Sequence, residues 1–540
     1  MLDRRRGDPA PVFRPLPAAA DFVALEEDEL ARWRTQQVFE RSVAQRAGAE
    51  PWVFYEGPPT ANGRPGLHHV WARVYKDLFC RYRTMRGYQV ARRAGWDTHG
   101  LPVEVEVEKR LGVNGKRQIE DEVGIAEFTR MCKESVLGYV EDWKALTERI
   151  GYWVDLDAAY WTFDPDYVQS VWWHLQQLYE HGLLYEDLKV VPYCPRCGTA
   201  LSSHELGQPE VYTDEEDESA YVLLPLVDPG PAGATHLVVW TTTPWTLPSN
   251  TGVAVHPDLP YAVIDGMMVA EALVDEVFGE GASARVAGRV SGRELEGLAY
   301  RRPLDVVPLD AVPTDADHAV PTDAVPAEAG WRVVLADFVT TDEGTGLVHL
   351  APAFGEIDRQ VGRAAGLPTL NPVGPDGRFT TTAGWLAGRP VRDTNHDIND
   401  RLEADGLLLR RYPYVHAYPH CWRCGTALIY WGKPSWYVAT SERKADLLEA
   451  NQAVEWHPGY IRDGRFGEWL ENNVDWALSR DRYWGTPLPI WRNDADPDRM
   501  VCVGSLAELH ELSGVELADP HRPFVDDVTF TRDGEEGTYR

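Results

Sequence analysis

The spacing of hydrophobic residues divides the chain into a first part of alternating helices and strands and a second part rich in strands. In the first part apolar residues recur three or four positions apart, which predicts helices near residues 21–44, 69–88, 124–150 and 166–184. Short apolar runs at residues 51–55 and 89–93 predict strands between these helices. Helices and strands that alternate in this way are typical of an α/β fold.

The pattern changes near residue 186. Short β-rich runs separated by turn residues then recur, at residues 220–224, 236–241, 261–264, 331–335 and 346–350. This repetition indicates a mostly β domain. Within it, Ala-Val-Pro-Thr-Asp-Ala occurs at residues 311–316 and again at 319–324. Two copies of so short a unit predict a mobile surface loop, not a repeat fold.

The last part of the chain is less regular. Helical spacing returns near residues 393–408 and 442–451. The tail, residues 516–540, is polar and offers no obvious closing element.

Composition excludes some classes of function. The 540 residues carry a formal net charge of −31, which argues against a protein that coats nucleic acid non-specifically. Basic residues do cluster at residues 81–93 and 109–117, and these clusters are either local RNA-binding faces or solvated helix faces. The N-terminus lacks the apolar run of a signal peptide, and no run of about 18 apolar residues could span a bilayer. We therefore expect a cytoplasmic protein with no membrane partner.

Four of the seven cysteines form two near copies of one motif, Cys194-Pro-Arg-Cys197-Gly and Cys421-Trp-Arg-Cys424-Gly. Each pair can supply two thiolates to a tetrahedral Zn²⁺ site. Because 223 residues separate the pairs, we expect them to meet in space and to hold together the two ends of an inserted domain. The alternatives are buried free thiols or two separate redox motifs. The isolated Cys80, Cys132 and Cys502 are expected in the core.

A second group of motifs predicts a nucleotide site. Residues 54–63 read Phe-Tyr-Glu-Gly-Pro-Pro-Thr-Ala-Asn-Gly, histidines follow at 68 and 69, and Gly-Trp-Asp-Thr-His-Gly-Leu-Pro occupies residues 95–102. This order predicts a strand, a loop, a helix that begins with histidines, and a second strand that ends in a carboxylate. Open α/β sheets bind ligands beyond such strand ends. No phosphate-binding Gly-x-x-x-x-Gly-Lys-Ser/Thr loop occurs.

With these motifs the chain resembles the class I aminoacyl-tRNA synthetases, and within them the isoleucine-specific members. Three segments carry the resemblance: residues 95–104, residues 240–246 (Trp-Thr-Thr-Thr-Pro-Trp-Thr) and residues 475–491, which begin Asp-Trp-Ala-Leu-Ser-Arg. The resemblance implies an α/β fold, the first half of a doubly wound, Rossmann-like parallel-sheet catalytic domain with an inserted mostly β editing domain. It also implies ATP-dependent ligation of isoleucine to tRNA(Ile), with Mg²⁺ accompanying the ATP and one structural zinc.

The resemblance implies the following division. Residues 1–50 form an N-terminal arm and helix. Residues 51–206 form the first half of the nucleotide-binding domain with the first zinc knuckle. Residues 207–415 form the inserted editing domain. Residues 416–540 carry the second knuckle and return toward the second half of the catalytic domain.

The synthetic site is implied residue by residue. Pro58 and its neighbours would form the wall over the bound amino acid and adenylate, and Asp97 would bind the ammonium of the amino acid. The remaining binding residues implied are Pro59, Asn62, Gly63, Gly66 and His99. His69 would meet phosphate at a helix start. The family signature is His-x-Gly-His, whereas this chain has Gly66-Leu67-His68-His69, and we expect His68 to replace the missing first imidazole. The alternative is that His68 faces solvent and His69 acts alone.

The editing site is implied in the same way. Isoleucine and valine differ by one methylene, worth only about 1–3 kcal/mol in a pocket, so valyl products need a second, hydrolytic site. Thr241, Thr242 and Thr243 would bind the terminal adenosine and orient water. His349 would line the side-chain pocket, and Asp358 would hold the ammonium of the mischarged amino acid. The alternatives are a threonine-rich strand, a core histidine and a surface aspartate.

Other family segments are not encoded in these 540 residues. They are the Trp-Tyr-Asp-Ser-Gly, Gly-x-Asp-Gln and Lys-Met-Ser-Lys-Ser stretches and the anticodon-binding domain. We therefore expect a piece truncated before the lysine-rich loop, with an exposed sheet edge and apolar face, from a protein that is monomeric at full length. A second zinc is not expected, because the region after residue 491 has a single cysteine. Three functions follow: part of an isoleucine–tRNA ligase, an editing-only hydrolase, or an inactive zinc-bound RNA-interaction fragment.

Overall fold

The computed structural model describes residues 19–61, 63–113, 115–308 and 330–540. The repeated hexapeptides at 311–324 therefore lie outside the described residues. The chain forms two compact units. The first unit comprises Met1–Val113, Asp121–His174 and Arg482–Arg540, and the second comprises Asn114–Glu120 and Leu175–Asp481.

The described residues contain the helices α1 Phe22–Gln36, α2 Val38–Ala44, α3 Leu67–Met85, α4 Leu101–Leu111, α5 Lys116–Gln118, α6 Ile125–Leu137, α7 Val140–Arg149, α8 Pro165–Glu180, α9 Ser203–Leu206, α10 Val274–Phe278, α11 Glu356–Ala365, α12 Asn395–Ala404, α13 Lys444–Gln452, α14 Arg465–Glu471 and α15 Leu506–Ser513. The strands are β1 Phe54–Tyr55, β2 Arg92–Trp96, β3 Asp155–Trp161, β4 Leu184–Cys194, β5 Thr199–Ala200, β6 Tyr212–Pro225, β7 His236–Thr241, β8 Gly252–Val255, β9 Pro260–Ile264, β10 Met267–Ala270, β11 Gly288–Ser291, β12 Arg332–Leu335, β13 Leu347–Leu350, β14 Leu408–Pro419, β15 Ile429–Val438, β16 Trp476–Ala477, β17 Ile490–Arg492 and β18 Met500–Cys502.

The first unit is built on a parallel sheet of order β1-β2-β3. The prediction of a parallel α/β sheet is thus confirmed, although the second strand begins at Arg92, three residues after the predicted start at 89. Ala61, Trp96, Val140 and Trp143 form a buried cluster beside this sheet. This packing fixes the carboxyl ends of the strands and therefore the start of the loops that follow them.

One face of α3 is apolar and exposed. Its outward residues recur three, four or seven positions apart and are at least 48% exposed: Leu67, Trp71, Val74, Tyr75, Leu78, Phe79, Tyr82 and Met85. The inward face instead buries Arg73, Cys80 and Thr84. Among the described residues, β1 pairs only with β2, so its other edge is open. This is the exposed edge and apolar face expected of a half sheet.

The C-terminal part of the first unit is packed, contrary to the expectation of a polar tail without a closing element. Val525, Val528, Phe530 and Tyr539 are buried with Trp491 of the β17–β18 hairpin. Isolated antiparallel bridges join Tyr539 to both Phe530 and Asn493. Sequence periodicity missed this arrangement because its contacts connect irregularly spaced residues instead of one regular helix or strand.

The second unit contains the mostly β region. A six-stranded sheet has the order β11-β9-β10-β7-β6-β14, and a three-stranded sheet has the order β12-β8-β13. All five predicted β-rich runs fall on strands. Strands β8 and β10 were not predicted, because they are four residues long and almost fully buried, which removes the alternation that marks a half-buried strand.

A third sheet of the second unit carries both cysteine pairs. β4 and β15 run antiparallel over ten paired positions, from Leu184↔Val438 to Tyr193↔Ile429. Cys194 ends β4, and the second cysteine pair lies just before β15 begins. The ladder therefore brings together chain segments more than 220 residues apart. None of the helices in the described residues combines the length and the apolar character that a membrane crossing requires.

Candidate functional site

The four paired cysteines lie together. Their sulfur atoms are all within 4.8 Å of one another, and Cys424 Sγ is 3.6 Å from Cys194 Sγ and 3.5 Å from Cys197 Sγ. Gly198 and Gly425, which follow the second cysteine of each pair, have φ values of +61° and +70°, so each knuckle turns through the left-handed region that glycine allows. The prediction that the pairs meet in space is confirmed.

The cluster could hold a metal ion. A zinc–sulfur bond is about 2.3 Å long, so the sulfurs of a tetrahedral site are separated by about 3.8 Å. The sulfur–sulfur distances of 3.6 and 3.5 Å fit this value, whereas a disulfide requires about 2.05 Å. Cys194, Cys197 and Cys421 are buried, and hydrogen bonds from the Cys194 and Cys197 thiols lower the pKa of the Cys421 thiol. Sulfur donors at this spacing suit Zn²⁺.

The residues implied in editing line one cavity of about 510 Å³ in the second unit. Thr241 ends β7, and Thr242 and Thr243 follow it. These three threonines line the cavity together with His349 of β13 and Asp358 of α11. Gly344 and Gly346 pass close to the wall with positive φ values, and a Cβ on Gly346 would stand 2.3 Å from that of Ala270. A side chain at Gly346 would therefore clash with Ala270, so this part of the cavity wall requires glycine.

His349 is fixed within the wall of this cavity. Thr246 Oγ1 donates to the carbonyl of Thr243, which leaves it to accept the Nε2–H of His349 at 3.0 Å. The amide Nδ2 of Asn250 faces His349 Nδ1 at 3.3 Å. Burial lowers the pKa of His349 to about 4. Both ring nitrogens therefore have protein partners, and the ring is a neutral part of the wall.

Asp358 is a half-buried carboxylate in the first turn of α11. Its Oδ2 accepts the backbone N–H of Ala351 at 2.9 Å. Burial raises the pKa of Asp358 to about 6, and the bond from Ala351 opposes this shift only partly. A Cβ on Gly355 would stand 2.6 Å from Asp358 Cγ, so the glycine makes room for the carboxylate. A cation in the cavity would stabilise the charged form.

The signature histidines lie at the start of α3 in the first unit. His69 Nδ1 accepts the backbone N–H of Gly66 at 2.9 Å, so in neutral His69 the proton is on Nε2. Burial, together with the neighbouring charges, lowers the pKa of His69. The ring of His68 lies 3.8 Å from that of His69 and within 2.9 Å of the position that a Cβ on Gly66 would take. His68 thus covers the place where the first signature side chain would begin.

Asp97 stands directly after β2, next to the proline loop. Its backbone N–H donates to the carbonyl of Pro59, and Thr60 Oγ1 donates to its Oδ2 at 3.2 Å. Burial raises the pKa of Asp97. Pro58, Gly63 and His99 lie in the same unit, and the carbonyl of Gly63 accepts Trp143 Nε1–H. Asn62 lies outside the described residues.

The family profile for tRNA synthetases of class I (I, L, M and V) matches residues 28–536. The chain belongs to the class I tRNA synthetases. Two curated relatives share about half of its residues. The isoleucine–tRNA ligase of Streptomyces coelicolor is 51% identical over 527 residues, covering 96% of this chain and 48% of the relative. That of Thermus thermophilus is 47% identical over 517 residues, covering 94% and 47%.

The chain therefore spans about half the length of the curated relatives it matches. Among solved structures, the LeuRS–tRNA–LeuAMS complex from Agrobacterium radiobacter aligns with 88% of this chain and 51% of its own at 16% identity. Its TM-score is 0.33, a level that adds nothing to the family assignment.

Sequence reasoning missed three bonded side chains that lie in or near the segments carrying this synthetase's candidate site residues. Thr246 and Asn250 fix His349, as described above. Glu56 is 4% exposed, pairs with Lys76 Nζ at 2.7 Å and accepts the hydroxyl of Tyr152. Thr246 and Glu56 both lie inside motifs quoted from the sequence, so their place in the motif was a usable signal. Asn250 stands outside any motif, and only the fold reveals it.

Proposed function

We propose that this chain is the part of an isoleucine–tRNA ligase that carries the first portion of the synthetic site and the hydrolytic editing pocket. Its substrates would be isoleucine, ATP with Mg²⁺, and tRNA(Ile). The naming of the relatives supports isoleucine as the amino acid. The observation that carries the editing assignment is the cavity that brings three consecutive threonines and the half-buried carboxylate of Asp358 together.

In the synthetic reaction, the carboxylate of isoleucine attacks the α-phosphate of ATP, and pyrophosphate leaves. Asp97 would bind the ammonium of isoleucine, because a half-buried carboxylate makes a strong charge-assisted bond. His69 would donate its Nε2–H toward phosphate, since its Nδ1 is occupied by Gly66 N–H. His68 would supply a second ring nitrogen from above Gly66. Because the chain spans about half the length of the curated relatives it matches, we expect isoleucine-dependent ATP–pyrophosphate exchange by this chain alone to be undetectable.

In the editing reaction, water adds to the ester carbonyl of valyl-tRNA, the carbon–oxygen bond breaks, and the released tRNA hydroxyl takes up a proton. Asp358 would hold the ammonium of the valyl group. The threonine hydroxyls would bind the terminal ribose and orient the water. His349 cannot act as the base, because both of its nitrogens are bound to protein. Its role would be to shape the side-chain pocket.

The four cysteines would hold one Zn²⁺ in a structural role. Four protein thiolates complete a tetrahedron and leave no open position for a substrate. The ion would tie the end of β4 to the segment before β15. We further propose that the complete enzyme is a cytoplasmic monomer.

A second candidate function is hydrolysis alone. It is favoured because every residue of the editing cavity lies in the second compact unit. That unit needs nothing from the signature histidines to form its pocket.

The test is deacylation of valyl-tRNA(Ile) and isoleucyl-tRNA(Ile) by this chain. We expect weak hydrolysis that is selective for the valyl ester. Thr242→Val, which keeps the side-chain shape and removes the hydroxyl, should lower the rate about tenfold, as expected for one lost hydrogen bond to substrate. Thr381→Val, at an exposed threonine of the same unit, is the matched control. Equal hydrolysis of both esters, or none above the uncatalysed rate, would contradict the editing assignment.

A separate test addresses His68. In an enzyme of full length that contains this chain, His68→Ala should slow adenylate formation. An unchanged rate would show that His69 works without it.

A further inference from the structure

The loop that carries Asp97 is hydrogen-bonded to Trp484, a residue almost 400 positions later in the chain. The indole Nε1–H of Trp484 donates to the carbonyl of Thr98 at 2.5 Å. Its own carbonyl accepts the backbone N–H of Gly100 at 3.1 Å. The residues on either side of His99 are therefore both hydrogen-bonded to Trp484, which donates to Thr98 and accepts from Gly100.

Trp484 is in turn fixed by a buried carboxylate. Glu104 of α4 is 1% exposed, and its Oε1 accepts the backbone N–H groups of Tyr483 and Trp484 at 2.8 and 2.7 Å. Its Oε2 pairs with the Arg482 guanidinium at 3.2 Å. A buried network with its charge compensated is rigid, so the tryptophan is a firm support for the loop.

His99 itself points at a second histidine. Its Nε2 lies 2.7 Å from Nε2 of His521, which is 1% exposed and stacks on the Trp484 ring at 4.6 Å and 20°. On its other side, His521 Nδ1 faces Asp519 Oδ1 at 2.5 Å. The second oxygen of Asp519 is 3.6 Å from Lys133 Nζ. The result is a continuous chain from a lysine through a carboxylate and two imidazoles to the loop.

The carboxylate of Asp519 sets which ring nitrogens of His521 and His99 carry a proton. Its bond with His521 holds the pKa of Asp519 down to about 2, so Asp519 is ionised and can only accept hydrogen bonds. His521 must therefore carry its proton on Nδ1. When His521 is neutral, its Nε2 is an acceptor, and the proton between the two rings belongs to Nε2 of His99. The Nδ1 of His99 then carries no proton.

The ring of His99 is linked to Asp97 through its own backbone. The two residues are separated by Thr98 alone, and the backbone N–H of His99 partly offsets the rise that burial causes in the pKa of Asp97. The position of the His99 ring therefore affects the same short loop that carries Asp97 and that Trp484 binds at Thr98 and Gly100. Burial also lowers the pKa of His99 to about 3, which keeps its ring neutral.

We propose that Asp519 and His521 are positioning residues that set the tautomer and orientation of His99 and thereby hold the loop on which Asp97 is presented. That Asp97 binds the ammonium of isoleucine rests on the proposed function, whereas the proton order along the chain does not.

The experiment is NMR of the whole chain labelled with ¹⁵N-histidine at pH 8. Protonated and bare ring nitrogens give separate ¹⁵N resonances, and single substitutions His99→Gln and His521→Gln assign two of the 16 histidines. In the unsubstituted protein we expect the proton on Nδ1 of His521 and on Nε2 of His99. The opposite tautomer of His99 would overturn the proposal, whatever any variant does.

Three variants test the role of the carboxylate. Asp519→Ala removes the acceptor, so both tautomers of His521 should appear, and amide hydrogen exchange at residues 98–100 should accelerate about tenfold. Asp519→Asn keeps an acceptor oxygen and should restore the original tautomer. Asp527→Asn, at an exposed aspartate of the same segment, is the matched control and should match the unsubstituted protein. If Asp519→Ala matches it too, the carboxylate has no positioning role.

The readouts separate this proposal from the proposed function. Neither tautomers nor hydrogen exchange depends on a ligase reaction. Isoleucine binding to the complete enzyme should weaken in Asp519→Ala and recover in Asp519→Asn. If the tautomers are as expected while the unsubstituted enzyme binds no isoleucine, the proposed function fails and the chain from Asp519 to His99 stands.

Discussion

Replacing Asp358 by asparagine should stabilise the protein and abolish the proposed editing activity. The carboxylate lies in the first turn of α11, in the wall of the cavity proposed for editing, where it accepts the backbone N–H of Ala351. Asparagine has nearly the same shape and keeps an oxygen that can accept this bond. The substitution therefore removes a charge and little else.

The size of the effect follows from the shifted pKa. Burial raises the pKa of Asp358 from about 3.9 in an unfolded chain to about 6. At about 1.36 kcal/mol for each pH unit, the charged side chain costs the folded state about 3 kcal/mol. Because the folded pKa is the higher one, the unfolded chain loses its proton first. The contribution of Asp358 is therefore most favourable below about pH 4 and is lost as the pH rises to about 6.

The assay is the free energy of unfolding of the unsubstituted chain and Asp358→Asn, measured from pH 4 to pH 8. We expect equal stability near pH 4 and an advantage of about 3 kcal/mol for the variant above pH 6. Deacylation by the unsubstituted chain, corrected for the uncatalysed rate, should fall below about pH 6, and Asp358→Asn should show none. Asp337→Asn, at an exposed aspartate of the same unit, is the control. A variant that is less stable at pH 7.5, or a difference that does not change with pH, would refute the reasoning.

The cysteine cluster and the central sheet give two further predictions. Cys424→Ser should lower the zinc bound by the purified chain, measured by mass spectrometry, from about one ion per chain to far less than one. Cys502→Ser is the control and should leave the zinc content unchanged. Equal zinc content in both variants would exclude the four-sulfur site. Gly95→Ala should lower the free energy of unfolding by about 1–3 kcal/mol, because a Cβ there would stand 2.3 Å from the ring of Tyr160. Urea titration checks this, with Gly485→Ala, where no atom lies within 4 Å of the new Cβ, as control; equal losses in both variants would count against the packing argument.

Elements with a strong local pattern were predictable from the sequence. β7 was predicted over its full length, since its apolar run is bounded by turn residues. The cysteine pairs were predictable because thiolates spaced as Cys-x-x-Cys serve few purposes. The helix predicted near residues 21–44 exists, but it is divided at Gln37, whose φ is +49°. A single residue in the left-handed region leaves no periodic signal.

Features that depend on long-range contacts needed the structure. The sequence predicted no closing element beyond residue 516, because the buried residues of this tail pack against the β17–β18 hairpin and show no periodic pattern of their own. The predicted roles of the signature histidines, Asp97, the threonines and Asp358 stay predictions. What the structure adds is their surroundings.

The sequence alone determined the class of fold, the pairing of the cysteine motifs and the residue types of the two sites, because each is carried by spacing along the chain. Only the tertiary structure decided which groups are buried and which partners they have. Burial raises the pKa of Asp358 and lowers the pKa of His349, which keeps the His349 ring neutral. The fold also brings Asp519 and His521 into contact with the loop that carries Asp97. Protonation depends on the distance to charges and to water, and these distances exist only once the chain has folded.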